Sequence, residues 1–313
     1  MTNQVAELTA TLERRTTELS NVAKTVDMSG SSVAKLRKGT ASSFDAFGMP
    51  GDVARNFTRR SVPEVCSECE FFYAEQDVGH SASFIEQFEV LFRRQLATSL
   101  YDQREKGCGL IDIGSNGGYY SLMAASIGCA TIALDAQPRC LQRLASSAAV
   151  SGFGDMTLIW SAIQRPGAKP ISVGATKCSG LWSANLNSTW INEESGFSVD
   201  APSKTLAEVL AAAPRDFPFT AMKIDIEGGE VEVLKQALPL LIQPRKLQHI
   251  FVEVWSQEGS IEIFSQILAA GYDIYKANQP GVQMSEADVR FCLSIEGGRG
   301  CEDFHIIRRE PGQ

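Results

Sequence analysis

The run Leu110-Ile111-Asp112-Ile113-Gly114-Ser115-Asn116-Gly117-Gly118 ends an apolar stretch with an acid, an asparagine and three glycines. A strand that turns on glycines into a helix lets backbone approach a ligand and offers free N–H groups at the helix start. Two nucleoside ligand classes use such a turn. A dinucleotide site wants Gly-x-Gly-x-x-Gly to receive a pyrophosphate. Here Asn116 stands in place of the second glycine, so that pattern fails. Asp112 supplies a carboxylate, which attracts a cationic ligand and repels phosphate. S-adenosyl-L-methionine, with a sulfonium, an α-ammonium and no phosphate, matches that charge. Asp135 lies 21 residues beyond Gly114 and ends the next apolar stretch, where an acid accepts hydrogen bonds from ribose hydroxyls. The bland alternative is a tight turn, with Asp135 capping the helix ahead of Pro138. Both features together, at this spacing, favour a nucleoside cofactor on Asp112, Gly114, Asn116, Gly117 and Asp135. Ser161, after a third apolar stretch, is the candidate to touch the adenine edge.

A second constellation, Lys223-Ile224-Asp225-Ile226-Glu227-Gly228-Gly229-Glu230, is joined by Glu253. Methyl transfer to a hydroxyl needs in-line alignment and a proton acceptor. Asp225, Glu227 and Glu253 end strands at the side where open α/β sheets place their chemistry, so they are the catalytic candidates, Asp225 first. Glu230 is expected to serve the following helix, where an acid in the first turn stabilises the N-terminus by ~0.3–1 kcal/mol. A divalent metal on Asp225, Glu227 and Glu253 is a weaker option, because no further acid or Asn is placed to complete the shell; no metal site is expected. His249 and His80 read as structural and surface positions. Trp182, Trp190 and Trp255 could stack on a ring, though burial is the default for tryptophan.

The elements that must position these residues alternate. Strands are expected at Gly109–Ile113, Ala130–Leu134, Met156–Trp160, Ala221–Ile226 and Gln248–Trp255, and helices at Gly118–Ile127, Arg139–Ser151, Lys204–Ala212, Glu230–Leu241 and Ile261–Ala269. Short apolar strands alternating with amphipathic helices require an α/β fold, a mostly parallel, doubly wound, Rossmann-like sheet covered on both faces. Gly271–Lys276 and Asp303–Arg308 permit two late strands, and Ser83–Tyr101 reads as a helix leading in. Residues 2–27 carry a heptad-like seam, with Val5, Leu12, Leu19 and Val26 on one side, and form a helical appendage open to homo-oligomerisation. The Ser-, Gly- and Lys-rich stretch after it reads as a linker. The expected division is therefore 1–40 as helix and linker and 41–313 as the main domain, its core beginning at 83. Residues 44–82 show no clear periodicity.

Of 313 residues, 44% are hydrophobic and 21% charged, as in a globular protein. Residues 1–60 carry net charge +3 and the remainder −11. An acidic catalytic region repels phosphate backbones, which argues against nucleic acid as partner. No apolar run approaches the ~18 residues of a membrane span, and the first residues lack a signal peptide's apolar stretch. Of eight cysteines, Cys66 and Cys69 have zinc-ligand spacing but no second close pair. Cys108, Cys129 and Cys140 are expected as small buried hydrophobes. Disulfides between Cys66 and Cys69, or Cys292 and Cys301, remain open, as does the compartment. Asn56 and Asn187 fit a glycosylation acceptor pattern that arises easily by chance.

The segments DIGSNGGYYSLMAASIG, ALDAQPRCLQRL, SKTLAEVL, MKIDIEGGEVEVLKQA and HIFVEVW, in this order, resemble the FkbM-type methyltransferase family over roughly residues 108–275. The stretch from Lys223 to Leu234 is similar to that family's Lys-Ile-Asp-x-Glu-Gly-x-Glu signature. The resemblance implies a class I methyltransferase fold, S-adenosyl-L-methionine as donor, and O-methylation of a sugar or other small hydroxylated acceptor. Two positions depart from the pattern: Thr205-Leu206-Ala207 where the family reads Leu-Asp, and Asp135-Ala136-Gln137-Pro138 where it reads Glu-Pro. Residues 1–82 and 162–200 have no counterpart, and the latter are expected to shape the acceptor pocket. N-methylation, protein methylation, a non-catalytic scaffold and a dehydrogenase are the alternatives, the last disfavoured by Asn116.

Overall fold

Aliphatic runs closed by glycines set the frame of the computed structural model, which describes residues 32–36, 57–75, 82–174, 178, 198–241, 247–254, 258–279, 281–294 and 303–309. In chain order the strands are β1 (Val33–Leu36), β2 (Phe57–Val62), β3 (Cys66–Ala74), β4 (Gly109–Ile113), β5 (Ala130–Asp135), β6 (Met156–Trp160), β7 (Ala162–Ile163), β8 (Ile171–Gly174), β9 (Ser198–Ala201), β10 (Ser203–Lys204), β11 (Ala221–Ile224), β12 (His249–Glu253), β13 (Tyr272–Lys276), β14 (Gln283–Met284) and β15 (Asp303–Arg308). The helices are α1 (Ala82–Phe88), α2 (Val90–Tyr101), α3 (Tyr119–Ile127), α4 (Pro138–Ser151), α5 (Leu206–Ala211), α6 (Glu230–Leu241), α7 (Ser260–Ala269) and α8 (Glu286–Ser294).

Nine strands form one sheet in the order β1-β6-β5-β4-β11-β12-β15-β13-β14. The five from β6 to β12 are parallel, and β1, β13, β14 and β15 pair antiparallel at the flanks. From β4 the chain winds outward through α3 and α4 to β5 and β6. It begins again at β11, beside β4, and winds the other way through α6 to β12. That reversal is a switch point, where a doubly wound sheet opens a crevice at the carboxyl ends of its strands.

Strand side chains alternate between faces. Leu110, Ala133, Leu158, Ala221 and Phe251 pack with the first four helices and β3. Ile111, Ile132, Ile159, Met222 and Ile250 pack with the last four helices. On the first face, two residues beyond Leu110 and Ala221, the alternation brings up Asp112 and Lys223, directly opposite one another in register. Two charges thus enter an otherwise apolar layer.

The expected strands and helices of the core are present, several with the expected ends and the rest with ends moved by one or two residues, where capping rather than periodicity decides the boundary. Thr205 caps α5 in a reciprocal box with Glu208, so the family's acid is not needed at that turn. The lead-in helix bends at Glu89, whose backbone leaves the helical region (φ −104°, ψ 23°).

Three expectations need correction. Val33–Leu36, read as linker within 1–40, pairs with β6 and closes the sheet edge. The stretch 44–82 contains the β2–β3 hairpin, so the core does not begin at 83. In β3, Cys69, Phe71 and Tyr73 are buried while Phe72 lies on the other face. An apolar residue on each face masks the two-residue period. Ser147 and Ser151 of α4 accept the backbone N–H groups of Ala74 and Phe72, at 2.9 and 2.8 Å, which fixes the hairpin against the helix. Finally, Cys108 and Cys140 are not simple hydrophobes. Cys108 pairs with Cys129, Cys140 with Cys178, and Cys66 with Cys69. The first bond joins the entries of adjacent parallel strands, which the sheet brings together from 21 residues apart. Cys292 is disulfide-bonded too. Residues 2–27, His80, Trp182, Trp190, Trp255, Asn56, Asn187 and Cys301 lie outside the described residues. Among the described residues, no helix is long and apolar enough to cross a membrane.

Candidate active site

The glycine turn follows β4 directly. Gly114 has φ +77°, and a Cβ there would sit 1.8 Å from the Asp225 carbonyl oxygen. Its glycine is therefore required by the close approach of two strand ends, not only by approach of a ligand. Gly118 caps α3 with φ +85°, and a Cβ there would meet the Leu144 side chain at 2.3 Å. Between them Asn116 is left-handed (φ +50°), and its Oδ1 accepts the Gly117 N–H at 2.8 Å. Asn and Asp tolerate that region better than other residues because the short side chain bonds locally.

Asp135 braces this turn. Its Oδ2 accepts the Asn116 N–H and its Oδ1 the Gln137 N–H, both at 2.7 Å. Burial pushes its carboxyl up to about 6, against the pull of those two N–H groups. Each carboxylate oxygen keeps a further lone pair for a ligand hydroxyl. Asp112 is fully buried, with Oδ2 accepting from Ser121 Oγ at 2.6 Å. Burial raises its carboxyl above the ordinary range, and Lys223 only partly offsets this. Asp112 Oδ1 and Ser115 Oγ are buried without a hydrogen-bond partner. Two buried oxygens without a hydrogen bond and two acids around a left-handed turn fit a nucleoside that carries cationic and hydroxyl donors. Ser161 sits beside this group, its N–H donating to the Asp135 carbonyl at 3.1 Å. Its hydroxyl, however, donates to the Pro202 carbonyl at 2.7 Å, which turns it inward.

Beyond β11 the carboxylates gather. The Asp225 N–H continues the ladder to Ile113 O at 3.0 Å, and its side chain is 35% exposed. Glu227 is left-handed (φ +57°), a conformation that costs of order 1–3 kcal/mol in a non-glycine residue. Glu230 holds that turn by accepting from the Ile226 and Gly228 N–H groups at 3.1 and 2.9 Å, the helix-start role expected of it. Burial, then Asp225, pushes the Glu227 carboxyl up to about 7. Burial, then Asp225 and Asp303, pushes Glu253 up to about 9. Asp225, Glu227 and Glu253 are thus close enough to feel one another. Among the described residues, no group of three or more His, Cys, Asp and Glu is placed to hold a metal.

Lys223, Tyr120, Glu89 and Asp303 were not anticipated. Lys223 Nζ lies 3.0 Å from Asp225 Oδ2, 3.2 Å from Gly114 O and 3.9 Å from Asp112 Oδ1. Tyr120 packs 5.4 Å below that nitrogen, and its hydroxyl donates to Glu89. The signal for Lys223 was present, as a lone charge in an apolar strand. Glu89 and Asp303 belong to distant segments and carried none. The sulfurs of Cys178 and Cys140 lie 3.0 and 3.6 Å from Asn116 Oδ1, so that disulfide abuts the turn. His249 and His305 pair at 3.1 Å, with His249 at the entry of its strand and opposite Ala221. They are structural, away from the carboxyl ends.

A family model for the Methyltransferase FkbM domain matches residues 112–274, just over half of the chain. No curated protein sequence matches. Among solved structures, a SAM-dependent methyltransferase from Agrobacterium tumefaciens is similar at 13% identity and TM-score 0.42, covering 83% of this chain and 73% of that one. A precorrin-6y C5,15-methyltransferase from Geobacter metallireducens GS-15 is similar at 10% identity and TM-score 0.36, covering 75% of this chain and 95% of that one. Likeness this loose carries no argument; the switch point, the turn and the family match do. The chain belongs to the FkbM methyltransferase family, a class I Rossmann-like methyltransferase whose cofactor is S-adenosyl-L-methionine.

Proposed function

We propose that this protein methylates a hydroxyl oxygen on a small molecule or glycan. The observation that carries this reading is the group Asp225, Glu227 and Glu253 at the carboxyl ends of β11 and β12, joined by Lys223 to the glycine turn. When bound, the cofactor supplies an electrophilic methyl group on a sulfonium. Asp112, Gly114, Asn116, Gly117 and Asp135 hold it, and Ser161 shapes the adjoining wall. Asp225 engages the acceptor hydroxyl. A neighbouring carboxylate of matched affinity makes proton removal efficient near neutral pH, and Glu227, pushed up to about 7, suits it. Glu253, pushed up to about 9, keeps its proton at neutral pH and donates to the acceptor instead.

The disulfides support an oxidising compartment, because cytosolic thiols are kept reduced. Extracellular-type glycans are then accessible acceptors.

Methyl-labelled cofactor offered with a panel of glycans, polyols and matched amines tests the reading. Label in an ether linkage is expected. Label confined to the amines would overturn it.

A further inference from the structure

Lysine is among the residues least often buried without a role, because removing an ammonium from water is expensive unless it is paired. Lys223 is 4% exposed. The preceding residue on its own face of the strand, Ala221, is apolar and fully buried, so the layer it enters is otherwise apolar. Register with Asp112 brings it to the middle of the switch point. There it donates to Gly114 O, in the cofactor turn, and to Asp225 Oδ2, in the acceptor half.

We propose that Lys223 is a positioning residue that couples the cofactor turn to Asp225, so that filling one half of the site orders the other. This rests on the reading of Asp225 as the residue that engages the acceptor. The groups around the ammonium include Asp112 on β4, Asp135 at the end of β5, Asp225 and Glu227 after β11, Glu253 on β12, Tyr120 on α3, and Glu89 at the bend between α1 and α2. Burial alone would release the proton; Asp225 and Asp112 outweigh it and raise the ammonium's affinity, so Lys223 stays a cation and not a base. It touches both halves through two different oxygens, one fixed in the backbone and one on a partly exposed side chain. Displacement of the turn therefore moves the nitrogen, and the nitrogen moves the carboxylate.

The coupling is read without an acceptor, by amide hydrogen exchange with and without saturating S-adenosylhomocysteine. In the wild-type protein, the product is expected to slow exchange both at residues 115–118 and at 225–228. In Lys223→Met, saturated with product, protection is expected to persist at 115–118 and to fall by about tenfold at 225–228, the scale of one charged hydrogen bond. Lys223→Gln keeps a donor for Gly114 O without the charge, and carries the same test if the methionine variant melts below the assay temperature. Lys223→Arg is expected to restore protection in part, which a merely structural filler would not. Wild-type protection at 225–228 in Lys223→Met or Lys223→Gln overturns the coupling. Failure of the Asp225 reading appears separately, as normal turnover in Asp225→Asn.

Discussion

Asp135 and Asp225 are both strand-end acids, yet their surroundings give them different work. Asp135 is tied by two backbone N–H groups and braces the turn, whereas Asp225 is partly exposed and held by one lysine. Asp135→Ala removes the brace and, on the proposed reading, a contact to the cofactor. Its affinity for S-adenosylhomocysteine should fall by roughly 1.5–3 kcal/mol in calorimetry, the scale of a lost charged hydrogen bond. Asp225→Asn keeps shape and removes charge. Turnover should drop by roughly 10²-fold, the scale of a misplaced acceptor, while product affinity stays near wild type. Normal turnover in that variant would sink the catalytic reading and make Glu227 or Glu253 the next residue to test. Both positions stand out in the sequence as acids closing an apolar run, Asp135 at a spacing tied to the turn and Asp225 within the Lys-Ile-Asp signature. Lys223 was visible as the first residue of the signature, but its bond to Gly114 O depends on β4 lying beside β11.

At the scale of elements, the edge of the sheet matters most. β1 covers β6, whose partner edge would otherwise expose a row of backbone donors and acceptors. Removing residues 1–31 should therefore leave the melting temperature and product binding almost unchanged. Removing residues 1–40 takes β1 away, and should lower the melting temperature and promote association, checked by thermal unfolding and light scattering. Equal behaviour of the two truncations would mean that β1 contributes nothing. Gly114 belongs to the same scale. Any side chain there meets the Asp225 backbone, so a Gly114→Val variant separates β4 from β11 as well as blocking the cofactor. Four-residue β1 and the doubly apolar β3 escaped sequence reading because short or two-faced strands lack a usable period.

The whole molecule carries its electrostatic strain at two ends of the sheet. His249 and His305 are held down by burial to about 4 and about 3. The unfolded chain takes up those protons first, so their contribution is intact above the ordinary histidine value of 6.5 and is lost as pH falls from there toward 4. Glu253 has the opposite sign. Its folded carboxyl, raised from 4.5 to about 9, keeps a proton that the unfolded chain has released. Stability should therefore fall as pH rises from 7 to 9, measured as the chemical-denaturation midpoint. Glu253→Gln should flatten that slope. An unchanged slope would show that Glu253 is not buried among acids as described.

From its sequence alone this protein could be read as a doubly wound α/β methyltransferase, because strand and helix periods are local and the turn's acids and glycines sit within a few dozen residues of one another. That Asp112, Gly114, Asn116, Gly117 and Asp135 would gather around one turn followed from chain order alone. Tertiary structure decided what depends on distant segments meeting. The Cys140–Cys178 bond against Asn116 closes a separation of 38 residues. The bond from Lys223 to Gly114 O spans 109. The inward turn of the Ser161 hydroxyl depends on Pro202. Contacts of that range follow from sheet order and register, and neither is written in the spacing of residues along one strand.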